Sequence, residues 1–119
     1  MKTETIYFEK LGCDITYYIG KNAKDNFDVI DMGCPNDIWF HIEHLSSSHV
    51  VMILPKLENK MDSKIYNTIL KRGALLCKQN TKKTVSNHNV NITYTQLKNV
   101  LKTTRPGSVI TQNIKTITI

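Results

Sequence analysis

The chain has 119 residues, a length that fits one domain with a core that needs no disulfide or metal to support it. Hydrophobic residues make up 40% and charged residues 22%, and no apolar run reaches the roughly 20 residues of a membrane helix or forms a signal-peptide core. Residues 1–55 hold four Lys against eight Asp and Glu, whereas residues 56–119 hold twelve Lys and Arg against two acids, which favours a polyanionic partner over a merely solvated basic surface.

The first half of the chain reads as strands joined by turns. Residues 5–10 and 14–20 are rich in β-branched and aromatic side chains and predict a hairpin. A short helix is predicted over 23–32, followed by a turn. Two further strands are predicted over 38–42 and 49–54, with a serine-rich loop between them.

Residues 62–80 predict the main helix, which Asp62 or Ser63 can cap. At 100° per residue, its apolar side chains fall on one broad face. These are Ile65, Tyr66, Ile69, Leu70, Gly73, Ala74, Leu76 and Cys77. We therefore expect the helix to pack this face on a sheet.

The opposite face of the same helix carries a row of lysines. Lys64, Lys71 and Lys78 recur every seven residues, and Lys60 and Lys82 extend the row if the helix reaches them. We call the first three the lysine stripe and expect them to contact phosphates without reading sequence. The alternative is a solvated helix face.

The last third reads as a polar loop and four short strand-like segments. The segments are residues 90–95, 98–102, 108–111 and 115–119. With strands on both sides of one main helix, the sequence predicts a single α+β domain over residues 1–119, with a largely antiparallel sheet packed by that amphipathic helix.

The most informative strand is residues 37–42. Alternation places Asp37, Trp39 and His41 on one face of this strand. The residues between and after them are apolar and face the core: Ile38, Phe40 and Ile42. Two interpretations remain open. Trp39 is either an exposed platform for an unpaired base, or it fills a second small core with His41 hydrogen-bonded to Asp37.

Six segments carry a resemblance to a known family. They are Gly20-Lys21-Asn22, Asp37-Ile38-Trp39-Phe40-His41, Ser47-Ser48-His49-Val50-Val51, Tyr94-Thr95-Gln96-Leu97-Lys98-Asn99-Val100, Arg105-Pro106-Gly107-Ser108-Val109 and Asn113-Ile114-Lys115-Thr116. Their order over residues 5–119 resembles the NFACT-R family of RNA-binding domains, and most of all its stand-alone branch. One departure is Ser46-Ser47, where the family usually has Pro-Gly, so we expect a differently shaped loop.

The resemblance implies a ligand surface and a partner. The implied surface is Lys21, Asn22, Asp37, Trp39, His41, Ser48, His49, Lys98 and Asn99. The implied partner is RNA, either tRNA or rRNA, with DNA as an alternative, and large members of the family act on stalled ribosomal subunits. For a lone domain the resemblance implies general, non-catalytic RNA binding, and we expect a link to ribosome- or tRNA-associated quality control.

The remaining residues favour a binding module over an enzyme. Three cysteines are an odd number, and none has metal-ligand spacing, so we expect reduced thiols and a cytoplasmic or nuclear protein. Asp37, His41 and His49 invite a metal or hydrolase interpretation. Because the sequence contains no HExxH and no serine elbow, we expect no catalysis, metal or cofactor. The alternatives are a protein-interaction module and, behind it, a His/Asp hydrolase.

Overall fold

The computed structural model describes residues 1–56 and 61–119. Within this part of the chain the elements are the strands β1 (Lys2–Phe8), β2 (Cys13–Ile19), β3 (Ile38–Ile42), β4 (Val50–Ile53), β5 (Asn91–Gln96), β6 (Val100–Lys102), β7 (Val109–Thr111) and β8 (Lys115–Thr118), the helices α1 (Ala23–Ile30) and α2 (Ser63–Gln79), and a 3-10 helix over Leu97–Asn99.

Six of the strands form one sheet in the order β1-β2-β4-β3-β5-β8, and every neighbouring pair is antiparallel. Strands β6 and β7 form a separate antiparallel ribbon. The predicted α+β class is confirmed, and so is the first hairpin, in which Lys2 pairs with Ile19 and Phe8 with Cys13.

Helix α2 covers one face of the sheet, as its periodicity predicts. The Asp62 side chain caps it by accepting a hydrogen bond from the Lys64 backbone N–H at 2.8 Å. Its apolar face packs on side chains of β2, β3, β4 and β5, including Phe40. A buried tyrosine ties the two layers together, since the Tyr17 hydroxyl donates to the Ile69 carbonyl at 2.8 Å. This face therefore holds the larger of the two cores.

A second, smaller core lies on the opposite face of the sheet. Its buried members are Val29, Trp39, Val51, Leu97 and Val100. Helix α1, the 3-10 helix and β6 thus supply side chains that cover the middle strands on this side. The central strands are buried on both faces, which decides the environment of the residues predicted to bind ligand.

Several boundaries differ from the predicted ones. Helix α1 ends at Ile30, and the segment predicted as a strand over 98–102 begins as a 3-10 turn. That turn forms because the backbone N–H groups of Leu97 and Lys98 donate to the carbonyls of Asp37 and Pro35. Lys60 lies outside the described residues. None of the helices in the described ranges is long and apolar enough to cross a membrane.

Replacing Gly73 should destabilise the fold although alanine is the better helix former. A Cβ at this position would lie 2.5 Å from the Phe40 ring, so α2 would have to move away from β3. We expect Gly73→Ala to lower the free energy of unfolding by about 1–3 kcal/mol in urea denaturation. The control is Asn67→Ala, an exposed site on the same helix that should be neutral or slightly stabilising. Equal stability of the two variants would contradict the tight α2–β3 packing.

Candidate nucleic-acid interface

A groove of about 930 Å³ opens between the start of α1, the end of β3 and the end of α2. The loop over residues 43–49 and the turn over 105–109 complete its walls. Six of the predicted ligand residues line it: Lys21, Asn22, Trp39, His41, Ser48 and His49. We call it the basic groove because of the cations described next.

Four cationic side chains line the basic groove: Lys21, Lys82, Lys83 and Arg105. All four residues are exposed, and none forms an ion pair with any part of the chain that the structure describes. Glu43 is the acid among the lining residues. The groove therefore carries a clear excess of positive charge that other parts of the protein leave unneutralised.

The serine loop is held by hydrogen bonds rather than open to a ligand. The Ser48 hydroxyl donates to the Gly20 carbonyl at 2.6 Å, and its backbone N–H donates to Thr81 Oγ1 at 3.1 Å. The Ser48 carbonyl accepts from the Cys77 thiol at 3.1 Å, and burial raises the pKa of that thiol to about 12. The Ser47 hydroxyl accepts from the Ile42 N–H. Ser48 thus joins β2 to α2, and its groups have partners inside the fold.

The side chain of Asn26 fixes the other wall. Its amide oxygen accepts from the His49 backbone N–H at 3.0 Å, and its amide nitrogen donates to the Ser47 carbonyl at 3.2 Å. A Cβ on Gly20 would lie 2.1 Å from that amide oxygen, so only glycine leaves room for this arrangement. Gly20, the first residue of the Gly-Lys-Asn segment, is therefore a packing requirement.

Lys21 and Asn22 begin α1. The Asn22 side chain is the N-cap and accepts from the Asp25 N–H at 2.9 Å. Both residues are exposed, and both line the basic groove. Asn22 therefore has a structural role, whereas the ammonium of Lys21 remains available to a ligand.

The expectation that Trp39 is exposed is wrong. The side chain is 2% exposed because α1, the 3-10 helix and β6 cover its face of the sheet. Its indole Nε1–H donates to His49 Nδ1 at 3.2 Å, which satisfies the one polar atom of the ring. The alternative of a second small core is the correct interpretation of Trp39, and the indole is not an open platform.

The histidines form an aromatic cluster with Trp39. The His41 ring stacks on the indole with a centroid distance of 5.5 Å and an interplanar angle of 6°. His49 meets both rings edge-on, at 5.3 Å from Trp39 and 4.9 Å from His41. Burial lowers the pKa of His49 to about 3, helped by the nearby His41, and burial also lowers the pKa of His41. Both imidazoles are therefore neutral at pH 7.

Asp37 does not line the basic groove beside His41, and the Asp37–His41 hydrogen bond included in the second-core interpretation is not formed. Its carboxylate accepts from the Cys34 N–H at 2.7 Å and from the Leu54 N–H at 2.8 Å, and the residue is 5% exposed. A buried carboxylate needs such donors. At the start of β3 the backbone supplies them, so Asp37 organises a turn.

Lys98 and Asn99 lie in a different cleft, of about 450 Å³, which shares no lining residue with the basic groove. The 3-10 helix places them beside Tyr66, Tyr94 and Lys115. The Asn99 amide donates to Thr95 Oγ1 at 3.0 Å. The resemblance implied one surface, whereas six of its residues line the basic groove, two line this cleft and Asp37 lines neither.

The lysine stripe lies on the outward face of α2. Lys64 and Lys71 are exposed, and Lys78 is half-buried, with its ammonium 3.4 Å from the Ile119 carbonyl. None of the three lines the basic groove. Their contact with phosphates stays a prediction.

Sequence reasoning missed three of the four groove cations as site residues. The spacing marks Lys82 only as an extension of the lysine stripe, Lys83 stands beside it in a polar loop, and Arg105 lies in a predicted turn. Two signals were available: adjacent lysines directly after a helix, and the Arg-Pro-Gly segment that carries part of the resemblance. No periodicity connects these positions, so their convergence required the fold.

Comparison with known proteins agrees with this architecture. Residues 5–113 match the family described as the NFACT protein RNA binding domain. The C-terminal part of the fibronectin/fibrinogen-binding protein from Streptococcus suis has the same fold, with a TM-score of 0.72 over 88% of this chain and 40% of that one, at 23% identity.

Two curated relatives share more sequence. Coiled-coil domain-containing protein 25 of Mus musculus is 42% identical over 88 residues, which cover 74% of this chain and 41% of the relative. The homologue from Dictyostelium discoideum is 36% identical over 110 residues, covering 91% of this chain and 52% of its own length. The chain thus spans about half, or less, of the length of these relatives.

Trp39→Ala should act mainly on stability. Removing a buried tryptophan typically costs about 3–5 kcal/mol of folding free energy. We expect a loss of that size in urea denaturation, whereas Tyr7→Ala, at a residue that is 61% exposed, should cost far less. Near-native stability of Trp39→Ala would contradict the second core.

Weak acid should destabilise the fold through the histidine cluster. Unfolded His49 binds a proton below pH ~6.5, whereas folded His49 stays neutral until about pH 3. The unfolded state binds more protons between these two pH values. The free energy of unfolding should therefore fall by up to about 1.4 kcal/mol for each unit by which the pH is lowered. His41 contributes with the same sign.

The measurement is urea denaturation at pH 7.5 and pH 5.0. His49→Asn keeps an acceptor for the indole N–H but cannot titrate, so it should lose less stability between the two pH values than the unsubstituted protein. His88→Asn, in an exposed loop, is the control and should lose as much as the unsubstituted protein. If His49→Asn loses as much stability as the unsubstituted protein between the two pH values, His49 is not the cause of the acid destabilisation.

Proposed function

This chain belongs to the family of NFACT protein RNA-binding domains, and from that premise we propose that it is a non-catalytic module that binds RNA through the basic groove. The observation that carries the proposal is the set of four exposed cations around one groove. Phosphates dominate the affinity of proteins for nucleic acids, and Lys and Arg without internal partners are the groups that neutralise them.

The distribution of ion pairs supports this choice of surface. Lys24 and Lys102 pair with Asp28 and Asp31, with N–O distances of 3.0 and 2.6 Å. These acids belong to α1 and its C-cap, in the acidic half of the chain. They neutralise cations near the helix and leave the charge of the basic groove unopposed, so a polyanion would be attracted there.

The hydrolase alternative receives little support from the same residues. Both oxygens of Asp37 accept backbone N–H groups, and the Nδ1 atom of His49 accepts from Trp39. Among the described residues, no group of three or more His, Cys, Asp or Glu side chains is placed to hold a metal ion. We therefore keep the non-catalytic assignment as our proposal.

We further propose tRNA or rRNA as the natural ligand and a role linked to ribosome-associated quality control, with DNA as a competing ligand to be tested. The support is the resemblance of the six segments to a family whose large members act on stalled ribosomal subunits. The lysine stripe would then supply outer, sequence-independent phosphate contacts on the α2 side.

One observation favours protein interaction as a second candidate function. Leu101 and Ile110 lie directly opposite each other on the β6–β7 ribbon, and each is 60% exposed. An exposed apolar pair of this kind suits a contact with another protein. The RNA titration below separates this candidate from the first.

Replacing the groove lysines should weaken RNA binding and its salt dependence. We expect Lys21→Gln/Lys82→Gln/Lys83→Gln to reduce the slope of log affinity against log salt by about 2 for single-stranded RNA, because three fewer phosphates are neutralised and each releases about 0.7 counterion. The measurement is fluorescence anisotropy with a labelled RNA at several salt concentrations.

The matched control is Lys64→Gln/Lys71→Gln/Lys78→Gln, which also removes three charges but from the outward face of α2. We expect a smaller loss of affinity and of slope than for the groove variant. Unchanged affinity and slope in the groove variant would exclude the basic groove as the RNA surface, and absent RNA binding by the unsubstituted protein would leave protein interaction as the better proposal.

A further inference from the structure

The floor of the basic groove contains an aromatic stack with one accessible member. Trp39 and His49 are 2% and 1% exposed, whereas His41 is half-buried and lines the groove. The indole lies parallel to the His41 ring with centroids 5.5 Å apart, and the His49 ring meets the His41 ring edge-on. His41 is therefore the aromatic ring that this cluster presents to the groove.

The ring of His41 is held in place before any ligand arrives. Trp39 is anchored to His49 by the indole N–H, and His49 is anchored to Asn26 through its backbone N–H. From the neighbouring strand β5, Thr93 Oγ1 donates to the His41 backbone carbonyl at 3.1 Å. A platform that is already rigid loses little conformational entropy on binding.

The floor and the rim of the groove differ in charge. Burial lowers the pKa of His41, so the ring adds little positive charge to the floor at pH 7. Positive charge comes instead from Lys21, Lys82, Lys83 and Arg105. A neutral aromatic surface surrounded by cations matches a base attached to a chain of phosphates.

We infer, on the basis of the proposed function, that the basic groove binds an unpaired nucleotide, with the base stacked on His41 and the flanking phosphates on the cationic rim. In a duplex the faces of each base are covered by its neighbours, and an A-form helix presents phosphates and 2′-hydroxyls to a protein. Such a helix can offer phosphates to the rim, but its stacked bases leave no free face for His41. The ligand class is therefore a single-stranded segment, loop or end of an RNA.

The test compares RNA forms of equal length. Fluorescence anisotropy is measured with an unstructured eight-nucleotide RNA, with a blunt duplex of eight base pairs, and with versions of the single strand that carry an abasic site at each position in turn. We expect the single strand to bind more tightly than the duplex. At one position an abasic site, which removes the base and keeps the phosphate, should weaken binding roughly 5- to 150-fold.

Variants of His41 connect that effect to the ring. His41→Ala should weaken single-strand binding by a similar factor, leave duplex binding unchanged and lose no further affinity with the abasic strand. His41→Phe keeps a stacking surface and should retain most of the affinity. His88→Ala, outside the groove in an exposed loop, is the matched control and should bind as the unsubstituted protein does. If His41→Ala fails to fold, His41→Phe and the abasic series on the unsubstituted protein still test whether a base stacks on His41.

The outcomes separate this inference from the proposed function. Equal affinity for single strand and duplex, or abasic sites without effect at every position, overturns the nucleotide site. If Lys21→Gln/Lys82→Gln/Lys83→Gln still weakens binding in that case, the groove remains an RNA surface that contacts phosphates alone. If that variant binds normally, the proposed function fails as well.

Discussion

The amide of Asn26 joins parts of the chain on which the rest of the site depends. It lies on α1, accepts from the backbone before β4, donates to the serine loop and packs against Gly20 at the end of β2. A buried amide without such partners would cost several kcal/mol in an apolar environment. Because Asn26 positions His49 and His49 anchors Trp39, one side chain determines the geometry of the aromatic cluster.

The larger core and the sheet follow from patterns that a sequence displays. The spacing of apolar residues on α2 and the alternation along β3 predict which face of each element is buried, and Phe40 and Gly73 lie on those faces. The cap at Asp62 is equally local. These features could be predicted because each depends on residues only a few positions apart.

The burial of Trp39 could not be predicted in this way. Alternation identifies the face of β3 that carries the indole. The side chains that cover this face belong to Val29 on α1 and to Leu97 and Val100, which follow Trp39 by about 60 residues. The same limit applies to the basic groove, where Lys21 meets Arg105 across one opening. The extent of the domain, given as residues 1–119, stays a prediction.

The order of strands in the sheet has a consequence for synthesis of the protein. The first four strands, up to Ile53, occupy neighbouring positions β1-β2-β4-β3, so four of the six strands of the sheet can pair before the residues after Ile53 are synthesised. Its apolar face is covered only when α2 is complete at Gln79. At translation rates of about 5–20 residues per second, this delay lasts roughly one to five seconds. During that interval the four nascent strands expose the apolar face that α2 later covers.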